Sequence, residues 1–141
     1  MENPQIFSTT VKVLVNDLNY GNHLGYDSLL NILQEARIRW LKTICSSISE
    51  INIENNIGRL VKDVHLTYES EANHGDELKI TFTASNQTKI SFTLCYEVEN
   101  ITTSKSLCSA ETTLACFDYD KKKIARIPNI LLSALVQLPT H

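Results

Sequence analysis

The sequence predicts an α+β fold in which a curved antiparallel sheet is wrapped around one long central helix. Three observations carry that expectation. A single long amphipathic stretch runs from Tyr26 to Ile44. After it, the hydrophobic period changes from helical to two and stays there for most of the remaining chain. Turn-forming clusters then divide the β-patterned region at spacings that suit antiparallel neighbours. A helix with one apolar stripe must bury it, and a sheet with one apolar face supplies the surface.

Taken in order, Ile6 to Val15 read as a first strand, with Val11, Val13 and Val15 alternating with Lys12 and Leu14 so that both faces are partly covered. The turn-rich block from Asn16 to Gly25 ends it. In the helix, Tyr26, Leu29, Leu30, Leu33, Ala36, Trp40, Leu41 and Ile44 form one stripe. Asp27 suits the positive end of the helix dipole, and Arg39 and Lys42 suit the later turns. Arg37 falls inside the apolar stripe, so its charge has to be paired or carried to an edge.

Ser46 to Gly58 is a polar connection. Period-two alternation follows at Val64, Leu66 and Tyr68, at Leu78, Ile80, Phe82 and Ala84, and at Ile90, Phe92, Leu94, Tyr96 and Val98. Leu107 to Phe117 is a long β-favouring segment with two mixed faces. The breaks are Asn73-His74-Gly75-Asp76, Ser85-Asn86-Gln87, Asn100-Ile101-Thr102 and Asp118-Tyr119-Asp120, each with turn chemistry. Pro128 opens a short apolar helix through about Val136. The expected order is strand, long helix, four strands in meander spacing and a short helix. No internal repeat or second domain is visible, so residues 1–141 read as one domain.

Composition narrows the function. The chain has 141 residues, enough for one core, with 43% hydrophobic and 21% charged residues. A net charge of −3 gives no electrostatic reason to bind nucleic acid or an anionic membrane. Lys121 to Lys123, the one basic run, reads as a solvated hairpin tip. No charged N-terminal segment precedes an apolar core and no stretch is long enough to span a bilayer, so a cytoplasmic protein without membrane insertion is expected. Cys45, Cys95, Cys108 and Cys116 match neither a zinc site nor a redox pair and read as reduced, mostly buried thiols. His23, His65, His74 and His141 are scattered without spaced acid partners, so no metal is expected.

Chemistry concentrates in Asp17-Leu18-Asn19-Tyr20-Gly21-Asn22-His23-Leu24-Gly25-Tyr26. This block sets polar side chains against the start of the long helix, where unpaired N–H groups and the dipole's positive end can hold an anion or polarise a carbonyl. His23 has the acid–base range for catalysis, and equally suits a helix-entry residue bonded to backbone. Asn19 and Asn22 favour turns for local reasons as well as contacts to substrate. Asp17 is a capping residue or a charge partner. Asp27 is a first-turn acid and also the nearest carboxylate on the helix itself.

Asp17-x-Asn19, His23, Glu35-Ala36-Arg37, Val64 to Tyr68, Gly75-Asp76 before a strand, and Ile127-Pro128 occur in an order and spacing that resemble the hotdog-fold acyl-CoA thioesterases. The resemblance is to the 4-hydroxybenzoyl-CoA thioesterase-like group and covers nearly the whole chain. It implies a helix wrapped by the sheet and a homo-oligomer, a dimer or dimer of dimers, with the thioester at the subunit interface. It implies a thioester carbonyl near the backbone of Gly21 to Gly25, with Gly21, Asn22, Leu24, Gly25 and Tyr26 among the substrate-binding residues. It also implies a cleft lined by the strand that begins at Gly58-Arg59 and continues through Val61, with Arg59 and Lys62 as contacts for coenzyme A phosphates or residues of a solvated strand edge. No cofactor is implied beyond the coenzyme A of the substrate.

One position departs from the family pattern. The second acid of its Asp-x-Asp is Asn19 here, and an amide is neither nucleophile nor general base at neutral pH. Either the chemistry has moved to His23, Asp17 or Asp27, or Asn19 orients water, or hydrolysis is weak. Asn and His do occur together near a helix start in the plant acyl-carrier thioesterase branch. Gly25-Tyr26 stands where Asn-Asn is usual after the His. The expected activity is hydrolysis of an acyl-CoA or acyl-carrier thioester, with a non-hydrolytic acyl-CoA-binding protein and a hydroxyacyl-thioester dehydratase as rivals.

Overall fold

The computed structural model describes residues 7–44, 52–54 and 56–139. Its elements are β1 (Phe7–Lys12), α1 (Tyr26–Ile44), β2 (Ile57–Tyr68), β3 (Glu77–Ser85), β4 (Ser91–Asn100), β5 (Lys105–Asp118), β6 (Lys123–Ile124) and α2 (Asn129–Gln137). The strands form one antiparallel sheet in the order β1-β3-β4-β5-β2, with the short β6 paired to β5.

The long helix packs its apolar stripe on the sheet. Leu29, Ile32, Leu33, Ala36, Trp40 and Leu41 are all buried there. Phe82 at the middle of β3 organises the contact. Its ring lies 5.2 Å from Phe7, 6.2 Å from Trp40 and 5.0 Å from Tyr96, tilted or edge-on as ring quadrupoles prefer. Arg37 meets the requirement set by its place in the stripe: its guanidinium is buried and donates from Nη1 to Tyr96 Oη at 3.2 Å. The short helix α2 begins where Pro128 directs it. The Pro128 carbonyl accepts N–H bonds from Leu131 and Leu132, and Leu131, Ala134 and Leu135 close the core.

Several boundaries differ from expectation. The first strand stops at Lys12, opposite Glu77 where its partner β3 begins; beyond it Val13 bonds instead to the turn at Gly75 and Asp76. Residues Val15–Asp17 instead form a 3-10 turn, and Ile6 lies outside the described residues. Tyr26 and Leu30, expected in the buried stripe, are exposed, and Ile32 is buried instead. The second strand is longer than the alternation suggested, starting at Ile57. A bulge between Val61 and Asp63 reverses its phase and hides the pattern upstream. The hairpin strand β6 carried no sequence signal; Lys121 and Lys122 form its turn and are exposed as expected.

The largest difference is topological. A meander of four strands was expected, but only β3, β4 and β5 follow one another. From β2 the chain crosses the end of the sheet through residues 69–76 before it enters β3, so β2 becomes an edge beyond β5. Cys95, Cys108 and Cys116 are buried free thiols, as anticipated, while Cys45 lies outside the described residues. Burial pushes the Cys108 thiol up to about 12, with Glu69 and Glu97 adding to it. Burial likewise raises Cys116 to about 11, partly offset by Arg59. Among the described residues no helix is long and apolar enough to cross a membrane.

Candidate active site

The block before α1 folds into a tight loop. Leu18 and Leu24 form an isolated antiparallel bridge, and between them the Asn19 N–H donates to His23 O at 2.8 Å. Asn19 holds the loop with its side chain, its Oδ1 accepting from the N–H of Gly21 at 2.9 Å and of His23 at 3.3 Å. Asn22 takes the left-handed conformation, φ 65°, that Asn tolerates better than most residues. The departure at residue 19 thus has a local reason. The carbonyl oxygen of this amide is engaged by its own turn, which leaves only its NH2 to face a ligand.

Asp17 is similarly occupied. Its Oδ2 accepts the Leu14 N–H at 2.8 Å, closing the 3-10 turn. The Asp27 carboxylate folds back over Gly25, where an added Cβ would come within 2.6 Å of its Oδ1. Any side chain at residue 25 would have to displace that carboxylate. Asp27 lines a cleft with Asn16, Leu18, Asn19, Tyr20 and Ser28, whereas His23 lines the neighbouring one. The loop separates the two clefts, with Asn19 on the wall of both.

The free backbone amides sit one step later than expected. The N–H of Gly21 goes to Asn19 Oδ1, Asn22 to Asn19 O, Leu24 to Ala72 O and Gly25 to Asp17 O, the last three at 3.0, 2.9 and 3.0 Å. None of these is open to a carbonyl. Leu29 is the first helical amide engaged, by Gly25 O at 3.0 Å. Among the described residues the N–H groups of Tyr26, Asp27 and Ser28 have no acceptor. They are the orphan donors of the first turn, and they carry the dipole's positive end.

His23 faces a cleft of about 410 Å3 lined by Asn19, Leu24, Tyr26, Tyr68, Glu69, Ser70 and Glu71. Its Nδ1 lies 3.1 Å from Asn73 Oδ1, and its Nε2 lies 3.5 Å from Glu71 Oε2. Both oxygens only accept, so Nδ1 can donate to Asn73 and Nε2 can donate to Glu71. In the Nδ1–H form Nε2 carries the lone pair and is the nitrogen able to take a proton. Burial, with Cys108 and Asp27 adding to it, raises the Tyr68 phenol to about 12, so it stays a neutral hydrogen-bond donor on the same cleft wall.

Glu71, Asn73 and Tyr68 were not singled out from the sequence as site residues. They reach His23 from the end of β2 and the crossing segment, and no local pattern announces them. Arg59 and Val61 lie towards the other end of β2. Arg59 is only 4% exposed, so within this chain its guanidinium does not present itself to solvent as the anticipated phosphate contact or strand-edge residue would. Val61 is partly exposed and lines a small groove of about 200 Å3 with Val64, Thr112 and the α1 residues Leu30, Asn31, Leu33, Gln34 and Arg37. No group of three or more His, Cys, Asp or Glu side chains among the described residues is placed to hold a metal ion.

Comparison with known proteins gives the arrangement a context. The family model of the thioesterase-like superfamily matches residues 13–135. Among solved structures, a 1,4-dihydroxy-2-naphthoyl-CoA thioesterase from Synechocystis superposes with a TM-score of 0.82 at 20% identity, covering 94% of this chain and 96% of that one. A protein from Staphylococcus aureus in complex with CoA gives 0.83 at 16% identity, over 100% of this chain and 90% of its own. The probable thioesterase YbaW from Escherichia coli gives 0.73 at 22% identity, over 93% and 97%. No curated protein matches at the same stringency. The sheet with its packed long helix is a hotdog fold.

Proposed function

The chain belongs to the thioesterase-like superfamily, and from that premise we propose that it hydrolyses an acyl-CoA thioester with His23 as the general base. The observation that carries this reading is the orientation of His23 beside the helix start. Its Nδ1 lies 3.1 Å from Asn73 Oδ1, and its Nε2 stands by Glu71 on the cleft wall. Of the unengaged first-turn amides, that of Tyr26 belongs to a residue lining the same cleft, and those of Asp27 and Ser28 to residues lining the adjoining one.

In the reaction, Nε2 takes a proton from water as the water oxygen bonds to the acyl carbon. The carbonyl oxygen, now negative, is met by the Tyr26 amide, the first-turn donor whose residue lines the His23 cleft. Charge stabilised by preorganised donors in this way is commonly the largest contribution to catalysis. The C–S bond then breaks, the proton on Nε2 passes to the departing thiolate, and free acid and thiol leave. Asn19 contributes its NH2 group and the shape of the loop. Asp17 supports the loop, and Asp27 sets the helix entry in the adjoining cleft.

Coenzyme A as the thiol is supported by the similar Staphylococcus aureus structure, which was solved with CoA. A homodimer is supported by β2, an edge strand of twelve residues that leaves Val61, Val64 and Tyr68 at 49%, 42% and 40% exposure. Pairing two such edges would cover apolar surface that a lone chain leaves wet and would bring a second copy to the mouth of the cleft.

The test is turnover of an acyl-CoA panel by the wild type and His23→Ala. Loss of a general base is expected to lower kcat by about 10²–10⁴-fold. Equal turnover by both proteins would remove His23 from the mechanism. Retention of acyl-CoA with no turnover by the wild type would instead favour a binding protein, the reading suggested by the engaged carbonyl of Asn19. Activity confined to a hydroxyacyl thioester, with water lost rather than added, would indicate a dehydratase.

A further inference from the structure

We propose that Asn73 is a positioning residue that holds the neutral imidazole of His23 in its Nδ1–H tautomer, and that a buried Asp76–Asn100 pair holds Asn73 in place for that purpose; its catalytic meaning rests on the reading of His23 as the base.

The argument starts from the crossing segment. Asn73 opens the turn Asn73-His74-Gly75-Asp76, which leads into β3. Gly75 sits at φ 85°, a conformation that strains any residue with a Cβ. The Asn73 N–H donates to Asp76 Oδ2 at 2.9 Å, and the Asp76 N–H returns to Asn73 O at 3.1 Å. The turn is pinned to the chain before the helix, since Gly75 N–H donates to Val13 O and Val13 N–H to Asp76 O, both at 2.9 Å. The adjoining Ala72 carbonyl accepts from Leu24, the residue after His23, at 2.9 Å. His23 and Asn73 are therefore registered by backbone as well as by side chain.

The turn has an unusual foundation. Asp76 is 8% exposed and Asn100, at the end of β4, is fully buried. Asn100 Nδ2 donates to the same Asp76 oxygen that accepts from Asn73, at 2.9 Å. A carboxylate held out of water is costly unless its hydrogen bonds are made, and a solvated Asp would serve an ordinary surface turn equally well. Here the buried carboxylate ties the start of the turn to the sheet. Asn73 then projects its amide oxygen to Nδ1 of His23 across fifty residues of sequence.

One other group bears on the tautomer: the Glu71 carboxylate, also an acceptor, lies 3.5 Å from Nε2 and competes for the hydrogen there, whereas Asn73 is the nearer acceptor, at 3.1 Å from Nδ1. Glu69, Tyr26 and Tyr68 line the same cleft, and Asp27 lies across the loop in the next one. The contact to Asn73 is the one that favours the hydrogen on Nδ1, against the pull of Glu71 on Nε2. Without it, Nε2 would be free to carry the hydrogen, and a nitrogen already bearing hydrogen cannot take one from water.

The experiment is a two-bond 1H–15N correlation of the imidazole rings in the full-length protein at a pH where His23 is neutral, with Asn73→Ala, Asn73→Asp and Asp76→Asn beside the wild type. His23 is assigned by loss of its signals in His23→Ala. The wild type is expected to show His23 as Nδ1–H, and Asn73→Ala to show a mixture or mainly Nε2–H. Asn73→Asp keeps an acceptor and should restore Nδ1–H. Its negative charge should also move the acidic limb of the pH–rate profile to higher pH, a change that a merely structural role would not produce. In turnover, Asn73→Ala should lose about 10–100-fold in kcat, the scale of losing a partner that orients a catalytic imidazole, with KM nearly unchanged. A wild-type ring in the Nε2–H form, or an Asn73→Ala spectrum identical to wild type, overturns the proposal. An Asp76→Asn protein that is folded with an unaltered His23 spectrum removes the buried pair from it. Wild-type turnover by His23→Ala would defeat the base assignment and leave the tautomer assignment to the spectra, so the two failures are distinguishable.

Discussion

β1 and β2 are both edge strands of the same sheet, yet they are finished differently. β1 has six residues, β2 twelve. Arg39 reaches from α1 across β1 and donates from Nη1 to Thr9 Oγ1 and to the Thr10 carbonyl, at 2.8 and 2.9 Å, while its Nε binds Glu35 at 3.0 Å. The helix thus covers part of the β1 edge from within the chain. Along β2 the Tyr119 hydroxyl donates to the Arg59 carbonyl at 3.0 Å near the start of the strand, but further on Val61, Val64 and Tyr68 stay two-fifths exposed or more. A long uncovered edge of this kind invites a partner. It also ends at Tyr68, on the wall of the His23 cleft. The difference is that the clasped edge lies away from the His23 cleft, whereas the more open edge runs to its wall.

The most severe way to break the comparison is Val64→Asp. A carboxylate buried unpaired at a two-fold interface would cost on the order of 3–5 kcal/mol in each copy. Sedimentation is expected to show a monomer, with acyl-CoA turnover lost alongside. A dimer with normal turnover would mean that β2 is not the interface.

Next in size is Phe82→Ala, at the aromatic cluster behind β1. Removing this buried ring should cost about 3–5 kcal/mol in chemical denaturation. Activity per folded molecule should be retained, because the cluster does not touch the cleft; a specific loss of kcat in well-folded protein would blur the division between the two edges.

The thiols of β5 sharpen the comparison from beneath the open edge, since Cys108 pairs in register with Tyr68 and Cys116 with Arg59. Burial raises their folded values to about 12 and about 11 from the ordinary 9.0 of a thiol. The folded state therefore favours the neutral thiols. Their contribution is fully present below about pH 9 and is lost as pH rises through the folded values. Unfolding midpoints are expected to fall between pH 9 and pH 11, and to fall less in Cys108→Val. Identical alkaline slopes for the two proteins would dissociate Cys108 from that loss.

The smallest effect is expected at the covered edge. Arg39→Ala should destabilise by no more than about 1 kcal/mol, since its bonds are made at the surface. Turnover should not change. A large loss would show that β1 depends on its clasp far more than exposed contacts usually allow.

Much of this architecture could be read directly because its signals are contiguous. The stripe from Leu29 to Leu41, the alternation from Leu78 to Ala84 and the proline before α2 each act over a few residues. His23 could be picked out because it stands beside a helix start, and Asn19 because turn chemistry surrounds it. The engagement of the amides of residues 21–25 could not be read, since Leu24 gives its N–H to Ala72, far along the chain. Nor could Glu71 and Asn73, which are ordinary loop residues until the β2–β3 crossing brings them under His23.

By itself the sequence determined the helix, the strand-forming segments, the apolar faces and the chemical character of the block ahead of the helix. These follow from local periodicity and from the conformational preferences of Asn, Gly and Pro. Only the tertiary structure decided that β2 would sit beyond β5, that Arg59 would be buried, and that an amide fifty residues away would meet the His23 ring. The physical reason is that strand order depends on which faces and backbone edges find partners once the chain collapses. That outcome is shared among distant residues, and no short stretch encodes it.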